Sequence, residues 1–355
     1  MPSLAAIFEG TPGQLHLREF ATPRPQVGEI LVRVLGCTIC GSDRHTVEGR
    51  RTVPVPTVLG HEIVGEVVTL GPEAAANDLR GQPLRPGDRI TWAIVASCGT
   101  CRFCLSDLPQ KCTRAVKYGH EKLHPGQELR GGLAQHCLLA PGTAVVALPE
   151  SLPLATACPA SCATATVAAA IEAAGSLRGA VVGVFGAGML GLTACAMASL
   201  QGPAAVFCID PDPSRRQQAL AFGATQVVDP SSVPEPVLAA GGFDVVLELS
   251  GQPTAFQTAW PLLRPGGLLL LVGSVYPTPP VSLELEQVVR RCITLRGLHN
   301  YAPRHLVQAV EFLEAHHQRF PFESLVGTWF DLASCAQVFH PGTGATAFRV
   351  GVRPG

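Results

Sequence analysis

The segment Ala180-Val-Val-Gly-Val-Phe185-Gly186-Ala187-Gly188-Met189-Leu190-Gly191 runs an apolar, β-rich stretch straight into a glycine-spaced turn. An apolar helix is expected to follow, from Leu192 to Leu200, and then a strand, Ala204-Ala-Val-Phe-Cys-Ile209, that ends on Asp210. Strand, glycine turn, helix, strand and acid in this order make the unit that binds a dinucleotide. Gly186 permits the tight turn, Gly188 lets backbone approach the pyrophosphate, and Gly191 lets helix and strand pack closely. The helix N-terminus offers free N–H groups and the positive end of its dipole to the anion. A glycine motif alone is a weak signal, and its flanking elements make this one specific.

Outward from this turn the rhythm repeats. Gln226-Val-Val, Phe243-Asp-Val-Val-Leu-Glu-Leu249, Leu268-Leu-Leu-Leu-Val272 and Cys292-Ile-Thr-Leu-Arg-Gly297 read as strands separated by helical stretches. That alternation predicts an α/β unit with a parallel sheet covered on both faces. Asp210 is suited to accept hydrogen bonds from both ribose hydroxyls and to repel a 2′-phosphate, which favours NAD over NADP. Arg215 weakens that preference, because a guanidinium tolerates a phosphate. As a helix N-cap ahead of Pro211-Asp-Pro-Ser214, Asp210 would have a purely structural role, a reading its place at a strand end disfavours. Met189, Leu190, Val272 and Gly273 complete the expected cofactor contacts.

At 355 residues the chain has room for two domains with separate cores. A hydrophobic fraction of 47% with 15% charged residues suits a compact enzyme rather than a disordered chain. The net charge of -1 supplies no field to attract nucleic acid or an anionic membrane. The first residues lack the basic start and apolar core of a secretory signal. The apolar stretch 154–174 holds Glu172 and reads as a buried helix rather than a membrane span. These features predict a cytoplasmic protein.

Thirteen cysteines are present, and four of them, Cys98, Cys101, Cys104 and Cys112, follow a C-x2-C-x2-C-x7-C spacing. Such crowding suits one tetrahedral zinc better than independent disulfides. Elsewhere the first 150 residues alternate short β-rich runs with Gly and Pro punctuation. Within them, Cys37-Thr-Ile-Cys40-Gly-Ser42-Asp43-Arg44-His45 packs two thiols, a hydroxyl, a carboxylate and an imidazole into nine residues. Gly60-His61-Glu62 and Ser161-Cys162 offer groups to complete an open metal site. Spacing alone does not choose its ligands, and most remaining cysteines are expected to be inert core residues. Residues 113–132 form the most basic stretch. They read as a solvated loop, with the sharper alternative that part of it meets an anionic group.

Cys40-Gly-Ser-Asp-Arg-His45, then Gly60-His61-Glu62-x-x-Gly65-x-Val67, the four cysteines and the glycine turn together resemble the zinc-containing medium-chain alcohol dehydrogenase family. The match runs through nearly the whole chain in order. The resemblance implies a GroES-like β-rich catalytic domain, residues 1–153 and 299–355, with a structural-zinc lobe at 95–115. It implies a Rossmann doubly wound parallel-sheet domain at 154–298. It also implies two zinc ions per chain, one on Cys98, Cys101, Cys104 and Cys112 and one on Cys40, His61 and Cys162. Glu62 is then a nearby or transient ligand, Asp43 orients a ligand, Ser42 and His45 relay the proton, and Thr166 touches the nicotinamide. Some branches use a glutamate as third ligand, and Cys158 lies four residues from Cys162. The segment Cys162-Ala-Thr-Ala-Thr166 resembles the family's ligand-to-nicotinamide stretch.

Lys117-Tyr-Gly-His-Glu121 and Leu298-His-Asn-Tyr-Ala-Pro303 resemble a branch associated with phosphonate catabolism. That resemblance would make Arg44, Lys117 and His120 receptors for a phosphonate, while His299 is a candidate to line the substrate site. The implied activity is hydride transfer between NAD and a small alcohol or its carbonyl partner, by a homodimer or homotetramer. Polyol or threonine-type dehydrogenation is the runner-up. A zinc- and NAD-binding sensor without turnover is the alternative from another class.

Overall fold

The computed structural model describes residues 2–355 apart from 233, 234, 240, 341 and 344–346. The chain divides into two compact units, Met1–Ala165 with Asn300–Gly355, and Thr166–His299. The sequence had suggested cuts at 153/154 and 298/299. The helical stretch Leu154–Ala157 and the turn Cys158–Ser161 instead belong to the first unit, because they pack on the strand Glu62–Leu70. His299 falls in the second.

The first unit is mostly antiparallel sheet. Its main sheet runs Val145–Ala147, Arg89–Trp92, Glu62–Leu70, Ile30–Thr38, Arg349–Arg353 and Val326–Asp331, with His136–Leu139 also paired to Ile30–Thr38. Apolar side chains alternate along these strands. One face builds a core around Val32, Ile63, Trp92 and Tyr118; a second core gathers Ile7, Ile39, Leu133 and Val350. The register that matters most is Thr38 opposite Glu62. In an antiparallel pair this brings the residues just beyond the strand ends, Cys40 after one and His61 before the other, to the same end.

The second unit is a six-stranded, wholly parallel sheet. Its spatial order is Gln226–Val228, Ala205–Ile209, Val181–Phe185, Phe243–Glu248, Leu263–Leu271 and Thr294–Gly297. Numbered in sequence, that order is 3-2-1-4-5-6, with the reversal beside Val181–Phe185, where such sheets bind dinucleotides. Phe185, Phe207 and Phe243 meet edge to face in the core. Residues Arg264–Gly267 lie within the bulged strand Leu263–Leu271, where Gly266 takes φ +77 and the pairing with Phe243–Glu248 shifts register. The helix forecast from Leu192 begins earlier, as Met189–Ser199. Among the described residues no single helix is long and apolar enough to cross a membrane.

Candidate functional site

Cys40, His61 and Cys162 converge: one ligand atom from each lies within 4.8 Å of the others. Cys40 Sγ and Cys162 Sγ are 4.0 Å apart. The helix Gly41–Val47 starts directly after Cys40, and Asp43 in its first turn binds the pieces together. Asp43 Oδ2 accepts from the Cys40 N–H at 3.0 Å. Asp43 Oδ1 accepts from the Gly60 N–H at 3.3 Å and lies 3.2 Å from His61 Nδ1. That contact holds the ring so that Nε2 is the nitrogen left for a metal, the usual arrangement of a carboxylate behind a ligating histidine. Gly60 is required before His61, since it takes φ +88 and a Cβ there would sit 2.6 Å from Cys37 Sγ.

Cys162 arrives from a different direction. The turn Cys158–Ser161 is anchored when Ser161 Oγ donates to the His61 carbonyl at 3.2 Å. The buried Tyr301 hydroxyl donates to the Ser161 carbonyl and accepts from the Ile94 N–H at 3.3 Å. Cys158 stays outside the cluster; burial holds its thiol protonated, far above the usual range. Cys37 is likewise buried with its thiol raised, and it is not among the converging groups.

The charge state of the cluster fits a divalent cation. Hydrogen bonding from Cys162 outweighs burial and holds the Cys40 thiol well below its ordinary pKa, with Arg349 and His61 adding to the effect. Burial alone would lower His61, but the Asp43 carboxylate and Cys40 overcome it and raise the imidazole to about 10. A thiolate and an imidazole that both seek a positive partner are the donor set of an open zinc site.

Glu62 is not one of the converging groups. Thr38 Oγ1 donates to its Oε2 at 2.6 Å, and Arg349 donates to both its oxygens at 2.8 and 2.9 Å. Arg349 Nη2 also lies 3.5 Å from Cys40 Sγ. Glu62 thus anchors a cation beside the thiolate.

Cys98, Cys101, Cys104 and Cys112 form the second cluster, again with sulfurs within 4.8 Å of one another. Backbone N–H groups of Cys98 and Arg114 each donate to Cys112 Sγ at 3.3 Å. Hydrogen bonds from Thr100 and then Arg114 pull Cys98 down to about 5, so the loop is built to hold thiolate charge. Four sulfurs without an open corner suit a structural zinc.

In the second unit the glycine turn has the form its spacing predicts. Gly186 takes φ +99, and a Cβ on Gly191 would meet the Gly186 carbonyl oxygen at 1.7 Å. A Cβ on Gly188 would face open space, so this glycine leaves room for a ligand rather than for protein. No side chain caps the helix that starts there, which leaves its first N–H groups for a phosphate. Asp210 Oδ2 accepts from the Ala187 N–H at 2.7 Å and Oδ1 from the Asp212 N–H at 2.9 Å. The N-cap role falls to Asp212, whose side chain accepts from the Ser214 and Arg215 N–H groups. Gly273 abuts Gly251, and Val272 is buried at the end of its strand.

Known proteins share this arrangement. An alcohol dehydrogenase GroES-like domain matches residues 26–150, and a zinc-binding dehydrogenase domain matches residues 190–315. L-threonine 3-dehydrogenase of Edwardsiella ictaluri is 31% identical, over 78% of this chain and 79% of its own. An alcohol dehydrogenase from Thermotoga maritima superposes with a TM-score of 0.91 at 29% identity, covering 100% of both chains. A Sinorhizobium meliloti protein of the zinc-binding dehydrogenase type, solved with NADP bound, gives 0.87 at 25% identity, again over 100% of both chains. The chain belongs to the zinc-containing medium-chain alcohol dehydrogenases. It is accordingly an oxidoreductase that takes zinc and a nicotinamide cofactor.

The other residues singled out from the dehydrogenase's sequence divide. Ser42 Oγ lies 3.4 Å from His61 Nε2. His45 follows one turn later on the same helix face and is half-buried. Arg44 Nη2 donates to the Thr343 carbonyl at 3.3 Å. Lys117 and His120 do not lie in a solvated loop, because Tyr118 between them is fully buried and His120 nearly so. Thr166 is half-buried on the helix Ala163–Ala174, His299 is exposed, and Arg215 is exposed with Nε 3.7 Å from Asp212 Oδ2. Arg349, Thr38 and Arg51 were not legible in the sequence. Arg51 Nη1 lies 2.7 Å from His120 Nε2, an ion-to-ring contact that no motif announces.

Proposed function

We propose that the protein oxidises a secondary or polar primary alcohol, or reduces the matching aldehyde or ketone, with NAD as the hydride partner. The observation that carries the reading is the meeting of an ionised Cys40, His61 and Cys162 beside the Ser42 hydroxyl. When bound, zinc supplies Lewis acidity toward the substrate oxygen and the nicotinamide supplies hydride exchange. Ser42 Oγ accepts the proton of the substrate hydroxyl as its own hydroxyl proton leaves along the relay. His45 receives it one helical turn on; burial, with Arg50, lowers its pKa and keeps the ring neutral and able to accept. Asp43 fixes the orientation of His61, and Arg349 with Glu62 balances charge behind Cys40.

NAD is favoured over NADP by the carboxylate of Asp210 at the end of its strand, where a 2′-phosphate would be repelled. The narrower substrate in this reading is a hydroxyalkylphosphonate-type alcohol, on the resemblance of segments 117–121 and 298–303. Tyr301 in the second segment supports the Ser161 turn instead of reaching for substrate. The enzyme is read as a homodimer or homotetramer in a reducing cytoplasm, where its free cysteines remain thiols.

The test is NADH absorbance with the zinc-loaded protein and a panel of alcohols, polyols, threonine and hydroxyalkylphosphonates. The same panel is repeated with NADP and after chelation of zinc. Turnover that disappears on chelation supports the dehydrogenase. Absence of turnover across the panel with both cofactors would leave a zinc- and nucleotide-binding sensor.

A further inference from the structure

Resting on that dehydrogenase reading, we infer that Arg51 and Lys117 form an oxyanion subsite beside the Cys40–His61–Cys162 cluster. The substrate is then a short alcohol carrying a carboxylate or phosphonate a few bonds from its carbinol carbon. The placement is direct. The His61 and His120 rings are 5.1 Å apart between centroids. His120 Nδ1 lies 2.9 Å from the Tyr118 carbonyl, so this nitrogen carries the proton and donates it. Nε2 is thereby the acceptor, and Arg51 Nη1 donates to it at 2.7 Å. A guanidinium therefore sits one imidazole away from a metal ligand.

Lys117 lies on the short strand Val116–Lys117 that leads into this corner. The charges it senses are Arg51 and Lys111, which repel it, and Cys162, which attracts it. Burial, more than those repulsions, pushes its ammonium down to about 8. Among the described residues neither Arg51 nor Lys117 is paired with a carboxylate. Other sheltered arginines differ: Arg130 meets Glu29, Arg216 meets Asp229, and Arg349 meets Glu62. Glu121, the nearest acid in sequence, turns Oε1 to the Lys117 backbone N–H at 2.7 Å rather than to the ammonium.

Two half-buried cations that repel one another, with no carboxylate paired to either among the described residues, are unfavourable unless a ligand brings an anion. Arg51 has five N–H donors and gives one to His120, so a fork remains for two oxygens. Lys117, on the strand Val116–Lys117, adds a second charge. With one imidazole ring between Arg51 and His61, the chain that joins anion to carbinol is short.

The test compares 2-hydroxyethylphosphonate, 3-hydroxypropanoate and propan-1-ol as substrates for the wild type, Arg51→Gln, Lys117→Gln and Lys117→Arg. The wild type is expected to favour the charged alcohols. Each glutamine variant should lose roughly tenfold to a hundredfold in kcat/KM on them. Propan-1-ol should be unaffected, and Lys117→Arg should recover part of the loss. The ratio between the two anions identifies the preferred one. Equal use of propan-1-ol by the wild type overturns the subsite, as does a rise in the KM for NAD in place of that for the alcohol. Titration calorimetry with methylphosphonate and with acetate on the zinc-loaded protein gives a readout that does not need turnover. Binding weakened by Arg51→Gln supports the subsite even if no alcohol is oxidised, and no binding to the wild type refutes it.

Discussion

Arg349 clasps Glu62 through both carboxylate oxygens, Nε to Oε2 at 2.8 Å and Nη2 to Oε1 at 2.9 Å, with neither side chain open to solvent. Removing the guanidinium would leave a buried carboxylate next to an ionised Cys40. Arg349→Met is therefore expected to lower unfolding stability by about 3–5 kcal/mol. Glu62→Gln in the same chain should recover part of it. Denaturant midpoints for the single and double variants measure both, and an unchanged midpoint in Arg349→Met would show that the pair contributes nothing.

Lys117 is expected to act with the opposite sign. Burial and then Arg51 lower its pKa to about 8 in the folded protein, against about 10.4 when unfolded. The folded state therefore binds this proton more weakly. Below about pH 8 the charged ammonium costs stability; between about 8 and 10.4 the unfolded chain holds more protons, so stability rises with pH. Lys117→Met should stabilise the protein by about 1–3 kcal/mol at neutral pH. The gain over wild type should shrink toward zero by about pH 10. Thermal unfolding across that pH range checks the slope, and a destabilised Lys117→Met would contradict it.

Two glycines of one turn should separate folding from binding. A methyl at Gly191 collides with the Gly186 carbonyl, whereas one at Gly188 meets open space at φ −80, ψ −170, a backbone alanine accepts. Gly191→Ala is expected to cost about 2–3 kcal/mol of stability. Gly188→Ala should keep its midpoint and lose at least about tenfold in NAD affinity, because the methyl occupies the approach to the pyrophosphate. Fluorescence titration with NADH, paired with denaturant melts, distinguishes the two.

Metal content offers a fourth check. With two clusters of different design, Cys104→Ser and Cys162→Ser should each retain about one zinc per chain. The first should lower the melting temperature through its lobe, while the second should keep the fold and lose turnover. Two zinc ions retained by Cys162→Ser would remove that residue from the ligand set.

The parts of this protein readable in advance are those whose chemistry is local. The strand and glycine turn at 181–191 and the four cysteines at 98–112 state their purpose within a dozen residues or so, because sterics and chelation act over neighbouring positions. The helix Pro303–His316 is similar: a proline start and a 3.6-residue apolar period suffice. Cys162 was reached through family likeness, since nothing in spacing separates it from Cys158; the Tyr301–Ser161–His61 chain of hydrogen bonds anchors the turn that brings Cys162, rather than Cys158, to Cys40 and His61. Arg349 and Glu62 stand 287 positions apart, and Arg51 and His120 stand 69 apart. Such pairings leave no trace in a linear pattern. A charge interacts with whatever the folded backbone brings within a few ångströms, and strand order and register decide which group that is.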